Sequence, residues 1–247
     1  TALGSPPDCL SAAGQTGAVP SAGSYSITCS GATDLNYDIH YCPSSFKCSG
    51  SLVVHAAPLQ ITPTNQTATY GHRLPRLTWT ANFVRGDTSG SLVRQPRCGS
   101  SVHIGHARTV ISPSGRYRIW CTGARGANYK VNYATGVLQV LSARVSLTYA
   151  GPRTVRHDHA VRLAAILRSD LGVPIPGRVI RLTLIAGRHR QACRSAPTNQ
   201  HGLGACRIGK VTALNGTGII RMYFAGDQAG RPLDYRSGSG EQTELIT

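Results

Sequence analysis

Apolar and polar residues alternate in short runs along most of this chain, at the two-residue period of strands rather than the 3.6-residue period of helices. In SYSITC, Tyr25, Ile27 and Cys29 fall on one side of a predicted strand and Ser24, Ser26 and Thr28 on the other, so the first three are expected to face a core. RYRIWC repeats the pattern, with Tyr117, Ile119 and Cys121 inward and Arg116, Arg118 and Trp120 outward. After each half-cystine, SGA or TGA supplies glycine for a turn, and NYDIHY or NYKVNY is predicted to return as a second alternating strand. GSLVV and GVLQV then close the two copies. Residues 23–41 overlay residues 115–133 without a gap at an offset of 92, with 9 of 19 positions identical.

The copies differ in two places. Between Tyr41 and Gly50 the first carries CPSSFKCS, where the second has only Ala134 and Thr135; the insertion brings both Cys42 and Cys48, which pair most economically with each other. Upstream of Cys98 lie some forty residues of strand-like sequence, beginning LQITPTNQTATYGHRLPRLTWTANFVRGDT, against eight residues before Cys9. The first copy is therefore expected to lack opening strands and to leave sheet edges open. Either further upstream residues supply them, or a strand from a neighbouring subunit fills the gap, as in donor-strand assembly. From Ala143 the pattern changes to valine and leucine strands broken by Pro-Gly turns, ending in GEQTELIT, which alternates like a closing strand. The expected organisation is residues 1–57, 58–141 and 142–247, all-β throughout.

Composition agrees: 28 Gly, 14 Pro and only 15% charged residues leave little material for amphipathic helices. Eight cysteines in spread pairs, with no CxxC spacing, point to disulfides in an oxidising compartment rather than to a metal site. Cys193 and Cys206 flank a turn segment and are expected to oppose each other across a hairpin, where a disulfide closing such a loop stabilises by roughly 3 kcal/mol. No run approaches the roughly 18 apolar residues of a membrane helix. Residues 1–10 lack the basic and apolar regions of a signal peptide, so the chain is expected to be processed already or cut from something longer.

A formal charge of +16 attracts anionic partners, although an arginine-rich composition also arises without any such role. The face of Arg116, Arg118 and Trp120, with Arg181, is the candidate polyanion contact. Aromatic residues make up only 6% of the chain, and no RNP-like motif or basic helix favours nucleic acid. Catalysis finds little support: no glutamate precedes Glu241, and Asp34, Asp38, Asp87, Asp158, Asp170 and Asp227 fall in predicted turns, where Asp bonds its own backbone. His157, Asp158 and His159 are the one compact group of metal-ligand types, read as a solvated loop because a third ligand would have to come from elsewhere. Trp79 reads as packed rather than as a sugar platform. Asn65 and Asn215 begin N-glycosylation patterns that matter only where the source has that machinery. No catalytic residue, metal or cofactor is assigned.

YGHRLPRLTWTANFVRGDT followed by GRYRIWCTGARGANYKVNYATGVLQV resembles the MBG domain, a YG-containing β module found in tandem in bacterial surface and secreted proteins. The likeness covers residues 58–141, and its second half recurs in residues 1–57. LTYAGP, AVRLAAIL, GVPIPGRVIRLTL, HGLGACRI and MYFAGD resemble, in order, a bacterial immunoglobulin-like repeat, which departs from its family by carrying RHDH where a Tyr-Gly turn is usual. The resemblance implies tandem β-sandwich modules and transfers no catalytic residue. The cysteines are expected to pair within domains as Cys9 with Cys29, Cys42 with Cys48, Cys98 with Cys121 and Cys193 with Cys206, one of the 105 connectivities that eight cysteines allow. The leading expectation is a non-catalytic extracellular structural element of a surface stalk, adhesin or filament, which self-associates or adjoins further domains. A module binding an anionic glycan, cell-wall polymer or nucleic acid through arginines is the alternative, and an accessory region of an enzyme is a third.

Overall fold

The computed structural model describes residues 3–14, 20–41, 50–213, 215–227 and 235–247. Its strands, in chain order, are β1 (Asp8–Ser11), β2 (Gly23–Ser30), β3 (Gly50–Val54), β4 (Ala57–Pro63), β5 (Gln66–Thr69), β6 (Trp79–Ala81), β7 (Arg97–Ser100), β8 (Gly115–Thr122), β9 (Tyr129–Tyr133), β10 (Thr135–Leu141), β11 (Val145–Tyr149), β12 (Thr154–Val155), β13 (Val161–Ser169), β14 (Arg181–Ala186), β15 (His189–Arg194), β16 (Leu203–Ile208), β17 (Gly216–Phe224) and β18 (Gly238–Ile246). The only helices among the described residues are two single 3-10 turns, and none is long and apolar enough to cross a membrane. The chain divides into two compact units: Thr1–Thr64, Leu77–Ser100 and Ile119–Gly136 form one, and Asn65–Arg76, Ser101–Arg118 and Val137–Thr247 the other.

In the first unit, β4 lies between β6, antiparallel to it, and β9, parallel to it. Alternation in APLQITP turns Leu59 and Ile61, both fully buried, to one face, where Leu92, Cys121 and Tyr129 complete a small core and Trp79, Phe83 and Val131 pack against it. Burying each of these aliphatic side chains stabilises by roughly 2 kcal/mol. The Tyr129 hydroxyl, 2.5 Å from Asp87, donates to its carboxylate, and burial is the main reason its pKa is raised.

β2 is the centre of a second sheet in this unit, between β1 and β3. Two hydrogen bonds of the first copy recur at the offset of 92 residues. Tyr25 Oη donates to Ser21 O at 2.7 Å, as Tyr117 Oη does to Pro113 O at 2.8 Å. Tyr41 Oη accepts from the Ala32 N–H at 2.5 Å, as Tyr133 Oη does from Ala124 at 2.8 Å. Burial recurs at the tyrosines, Tyr25 and Tyr117 both being half-buried, but not beyond them: Ile119 and Cys121 are inaccessible, whereas Ile27 and Cys29 are only half-buried and Leu52, on their face, is exposed. NYDIHY also departs from the strand expected of it, since residues 36–41 form none. The physical reason is a missing ladder partner. NYKVNY becomes β9 because β4 runs beside it, and no described strand plays that part for NYDIHY.

The second unit contains a two-sheet sandwich, with β11-β13-β16 facing β12-β18-β17-β14-β15 across one core. Val161, Leu163, Ala165 and Leu167 of β13, Leu182 and Leu184 of β14, and Ile220, Met222 and Phe224 of β17 all project into it at the strand period. The C-terminal β18 pairs with β17 along its whole length, from Gly216 opposite Ile246 to Phe224 opposite Gly238. Elsewhere in this unit β5 runs parallel to β10, and the Tyr-Gly pair after β5 makes a turn. Gly71 there has φ of +79°, a left-handed conformation that suits glycine, and its N–H donates to Val110 O at 2.9 Å. Gly202 is more constrained still, because a Cβ would stand 2.3 Å from the Leu167 carbonyl oxygen.

One group in this sandwich opposes its surroundings. Glu244 is 5% exposed on the inward side of β18, and burial raises its carboxyl pKa while Arg153 partly lowers it. Tyr149 is pushed up to about 12 by burial first and by the negative field of Glu244 second. A raised folded-state pKa means that the protonated form favours folding, and that this stability is lost as pH rises through the folded value. Parent protein should therefore lose thermal stability relative to Glu244→Gln as pH rises from below about 4, the ordinary carboxylate range, to neutrality. A difference in Tm that stays flat across that window would refute the assignment.

Candidate functional site

Three disulfides join described residues. Cys9–Cys29 links β1 to β2 and Cys98–Cys121 links β7 to β8, in each case between directly opposed residues with Cα atoms 4.0 Å apart. Cys193–Cys206 spans 5.9 Å between Cα atoms and does not close a hairpin as expected. β15 is the edge of the five-stranded sheet and β16 the edge of the three-stranded one, so this bond staples the two layers of the sandwich. The cause is the intervening segment. Ser195 stays hydrogen-bonded to Ile180, and Asn199 Oδ1 accepts from the His201 and Leu203 N–H groups at 2.9 and 3.0 Å, turning the chain into the other sheet. Cys42 and Cys48 lie outside the described residues.

The polar candidates are engaged in structural contacts. Asp158 has φ of +58°; His157 Nδ1–H donates to Ala213 O and His159 Nδ1–H to His157 O, each at 2.8 Å, while Lys210 stands 3.2 Å from Asp158. Both imidazoles thus hold a tight turn, and among the described residues no group of three His, Cys, Asp or Glu could hold a metal. Asp34 makes the local turn expected of it, accepting from Asn36 N–H at 2.8 Å, and Asp38 stands 3.0 Å from His40. Asp87 and Asp170 stand at turns as expected, but the side chains of Asp87, Asp170 and Asp227 reach distant partners, Tyr129, His72 and Arg178, and Asp227 Oδ2 also accepts from the Tyr235 N–H at 3.3 Å. Asp227, its side chain 8% exposed, takes both Nε and Nη2 of Arg178, at 2.8 and 3.2 Å, and the same guanidinium lies over the Tyr235 ring. No local pattern around "AGD" marks a carboxylate paired 49 residues away.

Trp79 packs against the core of the first unit. Asn65 is exposed with its Oδ1 accepting from Val137 N–H at 2.7 Å, and Asn215 is exposed before β17. Along β8, Arg116, Arg118, Trp120 and Thr122 are the exposed positions, alternating with inward ones. Trp120 lies against Gly99 on β7. Arg116 helps line a shallow depression of about 240 Å³ in the second unit with Asn65, Gln66, Thr67, Val137 and Gln139. Arg181 stands in a different sheet, on the solvent face of β14, directly opposite Arg194 of β15 and Tyr223 of β17. Sequence reading named Arg181 and missed these two companions, because strand order and register between distant segments are not written in local alternation.

Residues 59–139 match the family model of the MBG domain (YGX type). No curated protein matches the chain. Among solved structures it is similar to the Escherichia coli adhesin FdeC, at 13% identity, covering 92% of this chain and 74% of that one with a TM-score of 0.33. It is also similar to the S-layer protein rSbsC(31-844), at 14% identity, covering 98% of this chain but only 34% of that one with a TM-score of 0.27. Three N-terminal domains of the bacteriophage RB49 outer capsid protein Hoc follow at 12% identity, covering 92% of this chain and 78% of that one with a TM-score of 0.27.

The two arginine–carboxylate pairs among the described residues should differ in weight. Asp227 is nearly buried and accepts two charge-assisted hydrogen bonds from Arg178, so Asp227→Ala should lower the unfolding free energy by about 2 kcal/mol. Arg221 and Glu241 meet at 2.6 Å but both are half exposed, so Glu241→Ala should change it by less than about 1 kcal/mol. Denaturant unfolding of the two variants compares them directly, and equal losses would contradict this account.

Proposed function

We propose that this chain is a non-catalytic extracellular structural protein, a series of disulfide-stapled β modules forming an element of a surface stalk, adhesin or filament. The observation that carries the reading is the MBG match at residues 59–139, beside a segment that repeats the same tyrosine hydrogen bonds 92 residues earlier. Residues 1–57, 58–141 and 142–247 are read as its modules, the first a partial MBG-like domain and the third immunoglobulin-like. Three disulfides fit an oxidising location. In the first module the face of Tyr25, Ile27 and Leu52 is incompletely covered, which suits burial against a strand or sheet from a neighbouring domain or subunit.

On intact cells of the source organism, antibodies raised against the chain should label the surface. Alkylation without reductant should leave its cysteines unmodified. A chain reached by antibody only after lysis, with cysteines that alkylate freely, would overturn the reading.

A further inference from the structure

The five-stranded sheet of the second unit buries one face in the sandwich core and turns the other to solvent. Register decides what stands on that outer face. Arg194, Arg181 and Tyr223 form one row across β15, β14 and β17, and Arg221 stands opposite Glu241 in the next. Arg190 lies four residues before Arg194 on β15, on the same face and about 13 Å away along the strand. Opposed residues on neighbouring strands have Cα atoms about 5 Å apart, so Arg194 and Arg181 rise side by side.

Charge on this face is unbalanced. Glu241 is the acidic residue in these rows and is already held by Arg221 at 2.6 Å, while Arg181, Arg190 and Arg194 have no ion-pair partner among the described residues. Four positive charges less one negative leave +3. Like charges directly opposed on a sheet repel, and an anion placed between the two guanidiniums would remove that repulsion through paired, charge-assisted hydrogen bonds. Tyr223 and Ile219, 45% and 37% exposed, provide flat apolar ground beside the arginines.

We propose that this face binds an acidic polysaccharide, with carboxylate or sulfate groups at Arg181, Arg194 and Arg190 and a sugar ring over Tyr223. The proposal goes beyond the structural role argued above and does not depend on it. Polysaccharide fits better than nucleic acid for a reason of surface chemistry. Single strands are held by successive aromatic side chains under successive bases, and these rows offer one exposed aromatic. Duplex DNA is read by an element narrow enough to enter a groove, which the face of a five-stranded sheet is not.

The test is titration of a fluorescent heparin dodecasaccharide against the whole chain at about 0.15 M salt, where long-range attraction is screened. Arg181→Ser/Arg194→Ser is compared with Arg162→Ser/Arg207→Ser, a pair of opposed, exposed arginines on the other sheet of the same sandwich. Both variants remove two positive charges, so the overall field falls equally. The first should weaken binding at least tenfold and the second less than threefold. Tyr223→Ala, which leaves the charge intact, should also weaken binding, by about threefold or more, with circular dichroism confirming the fold of each variant. Equal losses in the two arginine pairs, an unchanged affinity in Tyr223→Ala, or displacement of the probe by a twelve-nucleotide single strand as readily as by unlabelled dodecasaccharide would overturn the proposal.

Discussion

A β-sheet with one apolar face needs something to cover that face, and much of this structure turns on where the cover comes from. In the second unit the two sheets of the sandwich cover each other, and the residues between them are almost wholly inaccessible. In the first unit, Leu59 and Ile61 of β4 do the same for Cys121. β2 has the residue pattern of β8, the same opposed disulfide and the same tyrosine contacts, yet Ile27 and Cys29 stay half-buried where Ile119 and Cys121 are inaccessible. The chemistry of a strand is therefore duplicated without the burial that gives it most of its stability.

Disulfides carry different mechanical meanings in this arrangement. Cys9–Cys29 and Cys98–Cys121 tie neighbouring strands already joined by backbone hydrogen bonds, and so reinforce an existing sheet. Cys193–Cys206 joins edges of two separate sheets, where no backbone ladder holds them, and resists a different failure: separation of the layers. The Arg178–Asp227 pair, the Tyr235 ring under its guanidinium and the Tyr70 ring edge-on to Tyr235 form a further polar and aromatic lock within the second unit.

Much of the architecture was legible beforehand because strand alternation is local. Val161 to Leu167, Leu182 and Leu184, and Ile220 to Phe224 announce their inward positions in a few residues each, and the repeat of residues 23–41 in residues 115–133 is visible without any fold. Where local reading failed, the deciding partner lay far along the chain. NYDIHY lacks a neighbour equivalent to β4, Cys193 and Cys206 belong to different sheets, and Asp227 answers an arginine 49 residues before it.

By itself the sequence determined an all-β chain, its internal repeat and the excess of arginine, since all of these follow from period, composition and spacing. Only the tertiary structure decided which strands became neighbours, and with that which arginines share a face. Arg181, Arg190, Arg194 and Tyr223 meet because β14 pairs with β15 on one side and β17 on the other in particular registers. A shift of one residue in either ladder would turn the entire set of one strand to the opposite face, and nothing in the alternation of a single strand specifies which partner it takes.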